Sequence, residues 1–264
     1  MWFLLLRQTL IRGGIDKMKG ISEKTLIKIK DLKASVKLNN GDMLTTVTNA
    51  NMELQRGRSY AIVGKSGSGK TSLISIIGLL NREYEGEYLY DGISISALKD
   101  RDLSILRANN IGFVFQNYSL IKHLRVWENI ELPLLYAKKS FTAKQRHEII
   151  TGLLKSVGLE SKENDYPINL SGGEQQRVSI ARALAKNPKI VLCDEPTGAL
   201  DSKTGVMILK LLKDMCDKYQ KTIIVVTHNQ NIAKIADVIV RVKNGKIKSY
   251  EEQEKPQSIE EVEW

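Results

Sequence analysis

The sequence predicts an α/β fold whose core is a parallel sheet covered by helices on both faces. Residues 190–193 and 222–226 are near-continuous apolar runs, which are typical of strands buried inside a parallel sheet. Between them, residues 203–218 have the apolar spacing of a helix. Residues 117–170 are predicted to be largely helical, which indicates a helical subdomain inserted into the α/β core.

The first part of the chain carries the signals of a smaller, N-terminal antiparallel β subdomain. Residues 26–38 alternate loosely between apolar and polar side chains and end at the turn sequence Asn39-Asn40-Gly41-Asp42. Asp91-Gly92, which lies between β-prone residues, predicts a hairpin over residues 88–95. Further elements are predicted as strands at residues 59–63 and 111–115 and as a helix at residues 71–80.

One helix of the inserted segment has a clear beginning and end. Thr142 and Gln145 have the spacing of a capping box, and Gly158 can close the helix. Its apolar residues share one face, and they are Ile149, Ile150, Leu153, Leu154 and Val157.

The composition excludes several classes of protein. The chain has 264 residues, of which 42% are hydrophobic and 27% charged, with 19 Gly and 5 Pro. These proportions exclude collagen, a disordered chain and a disulfide scaffold. The two cysteines, Cys193 and Cys216, are too few for a disulfide framework, so a reducing compartment is predicted. No apolar run approaches the ~20 residues that a membrane-spanning helix needs.

The net charge of +10 is unevenly distributed along the chain. Residues 249–264 contain six Glu and one Lys, which leaves a charge of +15 on residues 1–248. A basic body suggests nucleic acid or anionic lipid as a neighbour, and a Lys-rich bias of the whole proteome is the simpler alternative. We predict that the acidic tail, residues 249–264, is mobile.

The first 24 residues are predicted to be an extension outside the folded domain. Their apolar start, residues 1–6, is too short for a signal peptide, and its positive charge follows rather than precedes it. Arg12-Gly13-Gly14 can be encoded by a bacterial ribosome-binding sequence that lies three codons before Met18. We therefore predict that residues 1–17 are leader and that Met18 is the start. An ordinary frayed extension is the alternative.

A glycine-rich loop follows the strand predicted at residues 59–63 and precedes a helix. In this position, glycines let backbone N–H groups turn toward phosphate oxygens, and the helix N-terminus adds positive potential. The Lys70 ammonium is expected to reach the β- and γ-phosphates of a nucleotide, and the Thr71 hydroxyl is expected to bind Mg²⁺. The loop fits the P-loop pattern, and its sequence is Gly64-Lys65-Ser66-Gly67-Ser68-Gly69-Lys70-Thr71.

Two carboxylates follow the apolar run at residues 190–193. Because this strand is predicted to be parallel, Asp194 and Glu195 should lie at its carboxyl edge beside the phosphate loop. Asp194 is then expected to hold Mg²⁺ through water, and Glu195 to orient and deprotonate an attacking water.

A second anion-binding element lies at residues 170–175, Leu170-Ser171-Gly172-Gly173-Glu174-Gln175. Ser171 and Glu174 have capping-box spacing, so a helix begins there with exposed N–H groups, and the glycine pair allows close approach. The chain already has a phosphate loop of its own. A second phosphate-binding element is therefore expected to serve a nucleotide held by another copy of the chain.

These motifs, in this order, resemble those of the ATP-binding cassette (ABC) transporter ATPases, from about residue 26 to residue 247. The resemblance is carried by residues 64–71, Gln116 after Phe115, residues 170–175, Asp194-Glu195, Ala199-Leu200-Asp201, and His228 between Thr227 and Asn229. It implies a P-loop NTPase (RecA-like) core within an ABC ATPase domain over residues 25–248, with ATP and Mg²⁺ as cofactors.

The same resemblance implies roles for single residues. Gln116 would join Thr71 and Asp194 around Mg²⁺ and sense the γ-phosphate where a membrane subunit docks. His228 would bond the γ-phosphate and hold the geometry of Glu195, the catalytic base.

The resemblance also implies a head-to-tail dimer with two ATP molecules between the chains. Ser171 and Gly173, with Gly172 between them, would contact the γ-phosphate held by the partner. Asp201 would couple the two sites.

Residues 117–120, 126–134 and 196–201 are similar to one branch of the family. That branch contains lipoprotein-release, macrolide-export and cell-division cassettes, together with exporters and sensors of antimicrobial peptides and bacteriocins. The similarity implies a separate permease with few transmembrane helices, driven by mechanical transmission. The chain would then lie at the cytoplasmic face of the cell membrane, without direct contact to nucleic acid.

Two other classes of function stay open on the sequence alone. A soluble ABC ATPase acting on nucleic acid or ribosomes would explain the basic body, but such proteins usually have two cassettes or a long coiled-coil insertion. A P-loop kinase or GTPase would leave residues 170–175 unexplained.

One position departs from the family pattern. Family members usually stack adenine on an aromatic residue of the first strand, and Val36 occupies the aligned position. No Phe, Tyr or Trp lies between Phe3 and Tyr60. Base–aromatic stacking is worth ~1–3 kcal/mol per base in nucleic-acid binders, so we expect weak ATP binding and poor discrimination against GTP.

Overall fold

A computed structural model describes residues 23–137, 141–198 and 200–261 of the chain. The predicted leader, residues 1–17, lies outside these ranges and stays a prediction. The strands are β1 (Thr25–Lys37), β2 (Met43–Gln55), β3 (Ser59–Val63), β4 (Glu85–Tyr90), β5 (Ile93–Ser94), β6 (Ile111–Val114), β7 (Ile190–Asp194), β8 (Thr222–Thr227), β9 (Val238–Lys243) and β10 (Lys246–Glu252). The helices are α1 (Lys70–Ile77), α2 (Asp100–Asn110), α3 (Val126–Leu135), α4 (Ala143–Ser156), α5 (Gly172–Leu184), α6 (Ser202–Tyr219) and α7 (Gln230–Ala233), with 3₁₀ turns at Glu160–Lys162, Pro167–Asn169 and Ile259–Glu261.

A mostly parallel sheet runs through the described part of the chain in the order β10-β9-β3-β8-β7-β6. Every pair from β9 to β6 is parallel, and β10 is antiparallel to β9. β3 is buried along its whole length and β7 and β8 along most of theirs, which explains their almost entirely apolar sequences. The strands predicted at residues 190–193 and 222–226 are β7 and β8, and the predicted helix between them is α6.

The register of the parallel strands brings their carboxyl ends to one edge of the sheet. Val63 at the end of β3 pairs with Thr227 at the end of β8. Asp194 at the end of β7 pairs with Val226, and Val114 at the end of β6 pairs with Cys193. The chain segments that follow β3, β6, β7 and β8 therefore leave the sheet side by side.

An antiparallel sheet in the order β2-β1-β4-β5 shares its apolar core with the central sheet. The turn predicted at residues 39–42 joins β1 to β2. Asp91 and Gly92 join β4 to β5 with φ angles of 51° and 77°, the left-handed pair that a tight hairpin needs. The predicted α/β architecture with an antiparallel β segment is confirmed.

The helical segment packs its apolar faces against α5. Buried side chains of α3 and α4, among them Ile130 and Ile150, form a cluster with Val178 of α5. The predicted capping box begins α4, because Gln145 N donates to Thr142 Oγ1 at 3.2 Å and Thr142 N donates to Gln145 Oε1 at 3.0 Å. Within the described ranges, no helix combines the length and the apolar character needed to cross a membrane.

The first helix is shorter than its sequence predicts. The apolar spacing extends to Leu80, but α1 ends at Ile77. Leu79 has a left-handed backbone with a φ angle of 58°, which cannot continue a right-handed helix.

The prediction of a mobile acidic tail is wrong for residues 249–261. β10 continues to Glu252, and Gln253 N donates to the carbonyl of Asp237 at 2.9 Å. Ile259 is buried against Leu209 and other apolar side chains of the α6–α7 region. Net charge alone does not reveal Ile259, which is the apolar residue that attaches the tail. Its burial outweighs the solvation of the exposed glutamates around it.

An ion pair adds to the attachment of the tail. The Glu260 carboxylate lies 2.8 Å from the Lys210 ammonium of α6. Hydrogen bonds from Lys210 and Ser258 lower the pKa of Glu260 to about 2. The Glu260 side chain is 64% exposed, so the contact orients the tail more than it stabilises it.

A core substitution in the tail tests this packing. We expect Ile259→Ala to lower the free energy of unfolding by about 2 kcal/mol, because it removes buried methyl groups and leaves a cavity. The matched control is the exposed Lys255→Ala, which should stay within about 0.5 kcal/mol of the unchanged chain. Chemical denaturation measures both values. A neutral Ile259→Ala would mean that the tail is free in solution.

Candidate functional site

The phosphate loop joins β3 to α1 at the carboxyl edge of the central sheet. Gly67 and Gly69 have φ angles of 73° and 99°, which favour glycine. A β-carbon on Gly69 would lie 2.1 Å from the carbonyl oxygen of Thr46 on β2, so the loop and the antiparallel sheet are in close contact. Glycine is therefore required at position 69 both by backbone angle and by space.

Two polar side chains of this loop are buried. Lys70, which is 7% exposed, donates from Nζ to the carbonyl oxygens of Gly64 at 2.7 Å and Lys65 at 3.0 Å. These bonds hold the ammonium inside the curve of the loop. The Ser68 hydroxyl is buried and has no hydrogen-bond partner among the described residues. A buried cation and an orphaned hydroxyl fit an anionic ligand such as a phosphate chain.

Asp194 and Glu195 follow β7 at the same edge, as the sequence predicts. Burial raises the pKa of Asp194, the neighbouring charge of Glu195 raises it further, and the Lys70 ammonium opposes both effects. Lys70 is therefore close enough to act on this carboxylate. Oxygen ligands of this kind, with the Thr71 hydroxyl and the Gln116 amide, suit Mg²⁺.

Glu195 is held by contacts on two sides. Its backbone N–H donates to the carbonyl of Val226 on β8 at 2.9 Å. Its Oε1 atom lies 2.8 Å from His228 Nδ1, where the side chain of Glu195 is 15% exposed and that of His228 is 70% exposed. Glu195 and His228, which were predicted to act together, are therefore in contact. The Nε2 atom of His228 is not used in this contact and lies on a mostly exposed side chain.

Gln116 reaches the same place from the end of β6. A β-carbon on Gly198 would lie 3.8 Å from Gln116 Nε2 and 3.6 Å from Glu195 Cβ, so the Gln116 amide lies beside the turn that follows Glu195. The four strand ends therefore bring together the predicted catalytic residues Lys70, Gln116, Glu195 and His228.

Residues 171–173 form a separate part of the site. Ser171 caps α5: its Oγ accepts from Glu174 N at 3.3 Å, and its own N–H donates to Glu174 Oε2 at 2.8 Å. The Ser171 hydroxyl also donates to Glu174 Oε2 at 2.9 Å, and the two hydrogen bonds that this carboxylate accepts from Ser171 lower the pKa of Glu174. Among the described residues, no hydrogen bond or ion pair joins Ser171, Gly172 or Gly173 to the phosphate loop.

Asp201 caps α6 and lies next to residues 171–173. Thr204 N donates to Asp201 Oδ1 at 3.0 Å and Thr204 Oγ1 donates to Oδ2 at 2.7 Å, which lowers the pKa of Asp201. A β-carbon on Gly173 would lie 2.3 Å from Thr204 Cγ2. The start of α5 and the start of α6 are therefore packed against each other.

Two further side chains of α5 contact this region, and neither was predicted from the sequence. Gln176 donates from Nε2 to the carbonyl of Pro196 at 2.9 Å. Arg182 donates to the carbonyls of Tyr118 at 3.0 Å and Ser119 at 2.7 Å, two residues with left-handed backbones that follow Gln116. A helical Gln or Arg is usually exposed, so the sequence carried no signal for Gln176.

A family profile described as ABC transporter matches residues 47–198, more than half of the chain. The chain belongs to the ABC transporter family. It is 42% identical over 228 residues to the ABC transporter ATP-binding protein MJ0796 of Methanocaldococcus jannaschii, which covers 86% of this chain and 97% of that protein. It is 44% identical over 222 residues to the macrolide export ATP-binding/permease protein MacB of Campylobacter fetus, covering 84% of this chain.

Solved structures agree with this assignment. A dimeric structure of the cassette MJ0796 in a post-hydrolysis state with ADP and Pi matches with a TM-score of 0.80 and 40% identity, over 86% of this chain and 98% of that one. The chain spans about a third of the MacB proteins it matches. It is thus an ABC-type ATPase with a P-loop NTPase core, similar to the macrolide-export branch, and these relatives give no support to the nucleic-acid alternative.

Proposed function

We propose that this chain is the ATP-hydrolysing subunit that drives a separate membrane permease, working with a second copy of itself. The observation that carries the proposal is the separation of two phosphate-binding elements in one chain. The phosphate loop lies at the sheet edge, while Ser171 begins a helix that no hydrogen bond or ion pair of the described residues joins to that loop. A head-to-tail partner would bring the start of α5 to the loop of the other copy. The structures of MJ0796 are dimeric, which supports a dimer of this chain.

The phosphate loop is the proposed site for the nucleotide phosphates. Residues 64–69 would supply backbone N–H groups, and Lys70 would exchange carbonyl partners for the β- and γ-phosphate oxygens. Mg²⁺ would be held by Thr71, Gln116 and Asp194, where it would neutralise charge on the phosphates. The raised pKa of Asp194 supports this assignment, because a nearby cation would restore its charged form.

Glu195 is the proposed general base. Its carboxylate is mostly buried, follows β7, and contacts His228 Nδ1 at 2.8 Å. A proton on Nδ1 would donate to the carboxylate and hold it in place, and a second proton on Nε2 would donate to a γ-phosphate oxygen. Ser171, Gly172 and Gly173 of the partner would close over the same phosphate, and Asp201 would carry the state of one site to the other through Thr204 and Gly173.

A groove beside Gln116 is the proposed docking site for the permease. Phe113 and Phe115 stack there with ring centroids 5.5 Å apart, and the lining also includes Pro133, Arg182 and Lys186. An apolar floor with cationic side chains suits an amphipathic helix with an acidic edge. Docking here would place the chain at the cytoplasmic face of the membrane. The proposed cargo is a peptide, bacteriocin, lipoprotein or drug, moved by export or mechanical transmission, and the macrolide-export relatives support export.

Isolation of the native complex tests the permease. We expect the tagged chain, purified from membranes in mild detergent, to bring down one membrane subunit. Lys186→Glu in the groove should reduce that yield several-fold, whereas Lys248→Glu on β10 should not. Capture of nucleic acid that is lost at raised salt, without a membrane subunit, would favour the nucleic-acid alternative.

A base-deficient variant tests the shared sites. We expect Glu195→Gln to bind ATP and to hydrolyse it about 10²- to 10⁴-fold more slowly, the usual contribution of a general base. Because release of the γ-phosphate would reopen the dimer, this variant should run as a dimer in ATP and Mg²⁺ on a sizing column. A monomer at saturating ATP would leave only a version in which the permease brings the two copies together.

Mixing two variants provides the control for that experiment. Ser171→Asp keeps an N-cap residue but repels the phosphate, and Lys70→Ala empties the loop of its cation. In a mixed dimer both lesions fall in one site and the other site is intact. Partial recovery of turnover on mixing is therefore expected. If the two lesions act within one chain, mixing recovers nothing.

The adenine position yields a separate prediction. Val36 is exposed on β1 and pairs with Leu44 of β2, so an aliphatic pair occupies this part of the hairpin. We expect Val36→Tyr to tighten ATP binding by about tenfold and to raise the preference for ATP over GTP, because it adds a stacking surface. Turnover with both nucleotides measures this, and Val36→Leu controls for side-chain size. A strong ATP preference of the unchanged chain, without gain on substitution, would contradict it.

A further inference from the structure

The backbone of Glu195 is in a conformation that its local sequence disfavours. Its φ angle is 47°, in the left-handed region that residues with a β-carbon seldom adopt. Pro196 follows it, and a residue before proline favours extended backbone with a negative φ. Such a conformation persists only where surrounding contacts enforce it. The contacts of the turn after β7 therefore decide where the Glu195 carboxylate points.

One of these contacts comes from a buried side chain of α5. Gln176 is 1% exposed, and its Nε2 atom donates to the carbonyl oxygen of Pro196 at 2.9 Å. This carbonyl belongs to the residue that directly follows Glu195. In a site shielded from water, such a bond is stronger than at the surface, and an unmade bond is costly. The amide thus adds a contact from α5 to the one that β8 makes with Glu195 N–H.

A second contact ties the same two elements together. Gly173, at the start of α5, packs against Thr204, which Asp201 holds at the start of α6. The segment between Glu195 and Thr204 is therefore attached to α5 near both of its ends. Both contacts link α5 to the segment that follows β7.

We propose that Gln176 is a positioning residue for Glu195. Its amide holds the Pro196 carbonyl, and thereby keeps the left-handed backbone of Glu195 and the contact of its carboxylate with His228. Without the bond, the turn relaxes toward extended backbone and carries the carboxylate away from the water it deprotonates. The phosphate loop keeps its own nucleotide contacts, because no hydrogen bond or ion pair of the described residues joins the Gln176 side chain to it. The inference rests on the role proposed above for Glu195.

Replacing the amide by an apolar group of similar size tests the proposal. We expect Gln176→Leu to lower kcat by about tenfold, the effect of one buried hydrogen bond on a barrier, with KM for ATP changed by less than about twofold. The matched control is Ser179→Ala on the same helix. The Ser179 hydroxyl is fully buried but has no hydrogen-bond partner among the described residues, so its loss should leave kcat unchanged.

An acidic variant separates positioning from packing. In Gln176→Glu, a charged carboxylate cannot donate to the Pro196 carbonyl, whereas the protonated acid can. Burial raises the pKa of such a carboxyl group, so the ratio of its kcat to that of the unchanged chain should rise as the pH falls from about 8 to about 6. The same ratio for Gln176→Leu should stay constant over this range.

Three outcomes decide the matter. A kcat of Gln176→Leu equal to that of the unchanged chain overturns the proposal. A reduced kcat that follows a reduced Tm, with a pH-independent ratio for Gln176→Glu, also overturns it, because it assigns Gln176 to packing alone. If Glu195→Gln hydrolyses ATP at the full rate, the proposed base itself is wrong. That result is read from a different variant, so the two failures are distinguishable.

Discussion

The parallel hydrogen-bond register of β3, β8, β7 and β6 is the constraint on which the site depends. Because Val63 pairs with Thr227 and Asp194 pairs with Val226, the phosphate loop, His228 and the two acidic residues leave the sheet at one level. A slip of one residue in any pair would turn the alternating side chains to the other face of the sheet. The apolar strands resist such a slip because both faces are buried. The buried strands thus determine where the residues of the candidate site lie.

This edge concentrates charge at a cost to stability. The folded chain raises the pKa of Asp194, so the folded state favours the protonated carboxyl more than the unfolded chain does. The stability that this carboxyl contributes is therefore fully present at pH values below the pKa of the unfolded chain, and it is lost as the pH rises through the folded pKa. The Lys70 ammonium offsets part of the cost. A bound cation would offset more of this cost in stability. Such a site is therefore suited to ligand binding rather than to stability.

Sequence and structure agree where the signal is local. The phosphate loop, the capping boxes at Thr142 and Ser171, and the Asp91-Gly92 hairpin each depend on a few neighbouring residues, and each is found as predicted. The strands β7 and β8 were predicted because burial on both faces leaves a continuous apolar run.

The differences arise where distant contacts decide. The charge of the acidic tail predicts a solvated segment, but one apolar side chain, Ile259, packs against α6 and α7. A Gln at position 176 of the sequence would be expected at the surface. Its amide finds a hydrogen-bond partner only because the fold brings the Pro196 carbonyl beside it. The left-handed backbone of Glu195 opposes the preference that the following proline sets. Such features depend on tertiary packing, which a single sequence does not display.

The helix α5 connects the two halves of the site within one chain. Ser171 caps its first turn, Gln176 holds the turn after Glu195, and Arg182 near its end holds the two carbonyls after Gln116. At 1.5 Å per residue, its length is about 20 Å, so its contacts reach from one end of the site to the other. The helix therefore contacts both the segment that follows β6 and the segment that follows β7. Arg182 also lines the groove beside Phe115, so a partner seated in that groove would act on the same helix.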